Sequence, residues 1–125
     1  AAIGTLLVYG LTVDERRAAR IERRLPTPPP LNVTRPTDLA PLRHVLTQLD
    51  GAAVFDDAGT LVDLGARLVP SLEAEAAVAP LRGTRHTNAR RFSHDHPGGV
   101  LIAVSDEGPV TVFRAGDVVG RSAAD

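Results

Sequence analysis

At 125 residues, with 43% hydrophobic and 23% charged side chains, the chain is sized for one domain and can bury a core, which excludes a disordered tail. A net charge of −1 argues against gripping a nucleic-acid backbone or an anionic membrane, and the absence of Cys excludes disulfide scaffolds, thiol nucleophiles and thiolate-held metals. All 14 basic residues counted as Lys or Arg are Arg, so a lysine Schiff base and a P-loop lysine are excluded, and any anion must be held by Arg, His or backbone N–H groups.

Aromatics are 3%, so the core is expected to rest on Val, Leu, Ala and Ile. No apolar run approaches the roughly 20 residues that span a bilayer. The chain opens at Ala1 with no charged segment before an apolar stretch, so it is not read as an intact signal peptide but as a piece of a longer protein.

Ile3 to Tyr9 is an apolar run with the composition of a buried strand. Asp14 to Leu25 places acidic residues first and Arg later, with Ala18, Ile21 and Leu25 on one face, and predicts an amphipathic helix ended by Pro26, Pro28, Pro29 and Pro30. Thr37 or Asp38 caps a second helix whose apolar face is Leu39, Leu42, Val45, Leu46 and Leu49. Ala52 to Phe55 and Leu61 to Leu64, joined by Asp56-Asp57-Ala58-Gly59, predict a hairpin, and Ala66 to Val69 a further short strand broken at Pro70.

Glu73 to Val78 is Ala- and Glu-rich and predicts one or two helical turns. Gly83 opens a polar, basic helix that ends at Pro97-Gly98-Gly99. Val100 to Val104 and Val110 to Phe113 are strands around a Gly108-Pro109 turn, and Gly116-Asp117 turns the chain into Val118-Val119. This order predicts a mixed sheet with helices packed on it, α/β or α+β.

Three segments can carry chemistry. Gly83-Thr84-Arg85-His86 puts a glycine, a hydroxyl, a guanidinium and an imidazole at a helix start, where free N–H groups and the dipole favour a phosphate; a plain cap with a solvated basic turn has the same pattern. Asp50-Gly51-Ala52 offers a carboxylate for a divalent metal or a hydroxyl proton, or simply a helix C-terminal turn. Ser105-Asp106-Glu107-Gly108 ends a buried strand, where Ser105 can touch phosphate and Asp106 or Glu107 can help hold a metal; a polar hairpin turn reads the same way. His94-Asp95-His96 has alternate imidazoles that can chelate a metal, although His is also favoured near a helix C-terminus. No dinucleotide fingerprint or nucleophile elbow occurs.

In this order, Asp50-Gly51-Ala52, Leu68-Val69-Pro70, Gly83-Thr84-Arg85-His86 and Val104-Ser105-Asp106-Glu107 resemble the diadenylate cyclase domain, the nucleotide-binding domain of DNA-integrity-scanning proteins and membrane-tethered cyclases. Ile3 to Tyr9 is similar to that family's first core strand, and the likeness is weakest between Gly10 and Arg35. The resemblance implies a twisted mixed sheet flanked by helices over residues 1–125 and condensation of two ATP into cyclic di-AMP with release of pyrophosphate. It implies Asp50, beside Gly51, as the catalytic carboxylate that binds Mg2+ or Mn2+ and prepares the ribose 3′-hydroxyl, with Glu107 as a second metal ligand. It implies Gly83, Thr84, Arg85 and His86 on the triphosphate, with Arg85 and His86 also catalytic, Ser105 on a phosphate, and Leu68 by the adenine. Two such domains must meet face to face, so a homodimer in the cytoplasm is expected, with no nucleic acid and no membrane engaged by this chain. The family motif continues Arg-His-Arg, whereas Thr87 follows His86 here. That lost charge leaves open an adenine-nucleotide sensor of the same fold controlling an attached effector.

Overall fold

The computed structural model describes residues 5–22, 25, 27–48, 50–105 and 109–122. In chain order these form β1 (Thr5–Tyr9), α1 (Val13–Ala18), β2 (Ile21–Glu22), α2 (Pro36–Gln48), β3 (Ala52–Phe55), β4 (Leu61–Leu68), α3 (Leu72–Ala77), α4 (Thr84–Asp95), β5 (Val100–Val104), β6 (Val110–Arg114) and β7 (Asp117–Arg121). The strands make one seven-stranded sheet in the order β2-β4-β3-β1-β5-β6-β7. β1 and β3 run parallel and every other neighbouring pair is antiparallel, so the sheet is mixed and the class is α+β.

Each face of the sheet carries its own apolar cluster. On one face Leu6, Val8, Ala52, Val54, Ala66, Leu68, Leu101, Ala103 and Phe113 pack under Ala89 and Phe92 of α4. On the other, Ala53, Phe55, Leu61 and Leu64 pack under Leu42 of α2, with Tyr9 stacked on Phe55 at 4.7 Å between ring centroids. β3 lies between the two and is buried along its whole length. The few aromatics carry more of this core than composition suggests, because Phe55, Phe92 and Phe113 are all fully buried.

Three boundaries differ from the sequence expectation. The helix expected over Asp14 to Leu25 stops at Ala18. Thr12 and Glu15 close a capping box at its start, and Ile21 then pairs with Leu68 on the edge of the sheet. Ile21 is 8% exposed, so its apolar side chain is buried by strand pairing rather than on a helix face. α2 begins at Pro36, whose fixed φ suits a first helical position, and the Asp38 carboxylate accepts from Asn32 N–H at 3.0 Å instead of capping. Leu39 is 49% exposed, and Leu49 lies outside the described residues, as do Ile3 and Gly4, with which the first strand is expected to begin.

The third difference concerns β4, which runs unbroken through Gly65 and absorbs the short strand expected over Ala66 to Val69. Register shifts against β3, with Gly65 at φ +63°, insert extra residues on β4. Those insertions change which face each side chain meets: Leu61 and Leu64 both face α2, while Ala66 and Leu68 face α4.

α3 is fastened to the far end of α4. The Asp95 carboxylate accepts from Ser71 N–H at 2.7 Å and Ser71 Oγ–H at 2.6 Å, and Ser71 Oγ accepts from Ala74 N–H at 3.0 Å as the α3 cap. Phe92 ties this helix to the sheet. Phe92→Ala is expected to cost about 3–5 kcal/mol through lost burial and a residual cavity. Chemical denaturation should show a lower midpoint at an unchanged slope.

Candidate functional site

A cleft of about 310 Å³ opens where the start of β3, the end of β4 and the first turns of α4 meet. Its floor is small and apolar because Ala66 pairs with Ala52 and Ala52 with Leu6, so these side chains project from one face of the sheet. Two alanines there leave room that larger side chains would fill. Asp50, Arg67 and Leu68 line the cleft together with Thr84, Arg85 and Asn88 of α4.

Gly51 makes this geometry possible. Its φ is +99°, and a Cβ at that position would lie 2.8 Å from Ala66 O and 2.9 Å from Gly65 C, both backbone atoms. Only glycine lets β3 enter so close to β4, and this approach sets Asp50 at the mouth of the cleft. Neither the Asp50 carboxylate nor the Arg85 guanidinium has a hydrogen-bond or ion-pair partner among the described residues. The other arginines of α4 differ, since Arg90 Nε donates to Gly116 O at 2.8 Å and Arg91 Nε to Val78 O at 3.1 Å.

The start of α4 is built for an anion. Gly83 is the N-cap, at φ +96°, without a side-chain cap, and the first turn holds no acidic residue. Thr84 is therefore the first helical residue and not the cap that its side chain suggested. The first backbone bond of the helix, from Thr87 N–H to Gly83 O at 3.1 Å, leaves the preceding N–H groups without helical acceptors. Thr87 is also a latch. Its Oγ accepts from Leu81 N–H at 2.9 Å and its hydroxyl hydrogen is shared between Leu81 O at 2.9 Å and Gly83 O at 3.0 Å. Where the resemblance anticipates a second arginine, this chain has a hydroxyl that holds the loop before α4.

Of the residues singled out from sequence, Asp50, Gly51, Leu68, Thr84 and Arg85 line this cleft together. Gly83 lines a neighbouring hollow of about 360 Å³, which shares Thr84 and Asn88 with it. His86 does not line the cleft and packs edge-on against Phe113, with ring centroids 6.1 Å apart. Ser105 ends β5 outside the cleft, its N–H donating to Pro109 O at 2.9 Å. Asp106 and Glu107 lie outside the described residues.

The alternate imidazoles do not form a metal site. Asp95 is committed to Ser71, the His94 ring lies against Gly116, and the His96 ring lies 4.6 Å from Phe92. Among the described residues no group of three or more His, Cys, Asp or Glu is placed to hold a metal. Sequence reading missed Asn88, whose Nδ2 donates to Leu68 O at 3.0 Å and so fixes its carboxamide at the cleft wall. The available signal was helical spacing, because residue 88 lies one turn beyond Thr84 on the same face.

Residues 2–118 match the DAC family, described as DisA bacterial checkpoint controller nucleotide-binding, and the chain belongs to that family. Its fold is similar to the crystal structure of a hypothetical membrane-spanning protein from Bacillus cereus, with 21% identity and a TM-score of 0.67 over 92% of this chain. That alignment covers 53% of the Bacillus protein, so the chain spans about half of that relative's length. It is also similar to a double mutant of DacA from Staphylococcus aureus, with 20% identity and a TM-score of 0.61, over 98% of this chain and 76% of that one. No curated protein matches the chain in sequence. Among the described residues no helix is long and apolar enough to cross a membrane. The chain is thus a nucleotide-binding domain of the diadenylate cyclase type.

Two expectations follow from this geometry. Gly51→Ala must shift backbone at the cleft floor, and thermal melting should show a loss of about 1–3 kcal/mol for the forced left-handed conformation. Burial, then Arg85 and Arg121, hold His86 below its ordinary pKa of 6.5, and burial does the same for His96 against the opposing pull of Asp95 and Glu15. Stability from keeping these rings neutral is complete above pH 6.5 and is lost as pH falls through the depressed values. An imidazole NMR titration should find both midpoints below 6.5.

Proposed function

We propose that the domain is a metal-dependent diadenylate cyclase, which condenses two ATP molecules into cyclic di-AMP across two copies of the domain placed face to face. The observation that carries this reading is a carboxylate, Asp50, and a guanidinium, Arg85, lining one cleft, neither with a partner among the described residues. A nucleotide with its triphosphate at the start of α4 meets the Thr84 hydroxyl, the Arg85 fork and the free helix N–H groups. Its base then lies over the apolar floor by Leu68, whose carbonyl already accepts from Asn88.

One cleft holds one nucleotide, and the 3′-hydroxyl of each must reach the α-phosphorus of the other. In each transfer the 3′-oxygen bonds to that phosphorus, the bond from phosphorus to the departing pyrophosphate breaks, and the hydroxyl proton leaves. Two reciprocal transfers close the ring. Catalysis then rests on positioning and charge neutralisation, both of which this chain can supply without Lys.

Asp50 fits a hard divalent ion. Mg2+ is commonly held by one or two carboxylates and completes its shell with water and substrate phosphates, and the Asp50 carboxylate, without a partner among the described residues, lines the same cleft as the start of α4. When bound, Mg2+ or Mn2+ would lower the pKa of the ribose hydroxyl and offset phosphate charge. Glu107 is the second carboxylate in this proposal. ATP as substrate places the reaction in the cytoplasm.

A second reading, a nucleotide sensor without turnover, is favoured by one observation: the hydroxyl of Thr87 is engaged with Leu81 and Gly83 where the family motif carries a cation. Incubation with ATP and Mn2+ followed by mass spectrometry separates the two. Cyclic di-AMP is expected, and Asp50→Asn should slow its formation by at least about a hundredfold while ATP binding persists. Bound ATP without product from a dimeric preparation would establish the sensor, and absence of nucleotide binding would overturn both.

A further inference from the structure

The sheet continues the cleft floor toward a cation that the sequence reading did not include. Cα pairing links Ala66 to Ala52, Ala52 to Leu6, Leu6 to Ala103, Ala103 to Thr111 and Thr111 to Arg121. Directly paired residues project to the same face, so Arg121 shares the α4 face with the cleft floor. It stands three strands from Leu6, about 14 Å at ordinary strand spacing. That distance is on the scale of a nucleoside triphosphate.

The first turn of α4 lies over this row. His86 rests on Phe113, two residues along β6 from Thr111, and Arg121 is near enough to contribute to the depressed basicity of His86. Arg121 is exposed and has no hydrogen-bond or ion-pair partner among the described residues, as is true of Arg85. Arg85 and Arg121 thus place two guanidinium charges around the neutral His86 ring with no carboxylate partner among the described residues, and Arg85 lines the cleft that also holds Asp50.

We propose that Arg121 holds the distal phosphates of a nucleoside polyphosphate together with Arg85, so that β7 supplies the cation missing at Thr87. The proposal rests on the nucleotide reading of the cleft. In the face-to-face arrangement Arg121 then acts on the pyrophosphate that leaves the nucleotide held by its own copy.

The test measures binding of ATP, AMP and inorganic tripolyphosphate to the parent protein, Arg121→Gln and Arg121→Lys at one fixed low ionic strength. Arg121→Gln should weaken ATP and tripolyphosphate binding by about tenfold or more, the loss of one charge-assisted hydrogen bond, and leave AMP unchanged. Arg121→Lys should recover part of that loss. Unchanged ATP and tripolyphosphate affinity in Arg121→Gln overturns the proposal, as does an equal loss for AMP, which would mark a structural role. If the parent binds tripolyphosphate in an Arg121-dependent way but neither nucleotide, the phosphate role stands and the adenine reading falls. If the parent binds none of the three, both fall.

Discussion

The close passage of β3 over β4 at Gly51 is the constraint on which the site depends. A side chain at residue 51 would meet the backbone of Gly65 and Ala66 inside van der Waals contact, so the two strands can approach only as glycine permits. Opposite it, Gly65 in the left-handed region lets β4 change phase, which gives Leu64 to one apolar cluster and Ala66 and Leu68 to the other. One local distortion thus positions Asp50, the alanine floor and the Leu68 carbonyl together.

Charge is placed with the same economy. The chain as a whole is close to neutral, yet α4 begins with a dipole end without a side-chain cap, a guanidinium with no partner among the described residues and no acidic residue in its first turn. Its other arginines donate to carbonyls of neighbouring segments and act as struts. A small anion is therefore met by a few local groups, whereas a polymer would need a continuous basic face.

The strands over Thr5–Tyr9, Ala52–Phe55, Val100–Val104 and Val110–Arg114 were legible because apolar runs bounded by turn residues leave few alternatives. The helix from Thr84 was legible because Gly83 opens it and Pro97 ends it. Ile21 was misread because Ala18, Ile21 and Leu25 satisfy a helical period, and only a partner strand 47 residues further on, pairing Ile21 with Leu68, makes it an edge residue. The unbroken course of β4 was hidden because the phase change at Gly65 has no meaning until β3 lies beside it. In the cleft, Asp50 and Arg85 stood in short motifs, but Asn88, and Arg121 beyond the cleft, acquire their positions from a long-range hydrogen bond and from strand register, neither of which a local window contains.

Both ends of the segment that joins β4 to α4 are fastened to the same helix. Ser71 is held by Asp95 at its last turn, and Leu81 and Gly83 are held by Thr87 at its first. The intervening residues form a closed handle on a rigid bar. Changes of length or sequence around Ala79 and Pro80, both exposed, are absorbed within that handle and do not displace the start of α4. The stretch is thus free to diverge among descendants of this chain, or to accept an inserted module, while the N-terminal end of the helix keeps its place.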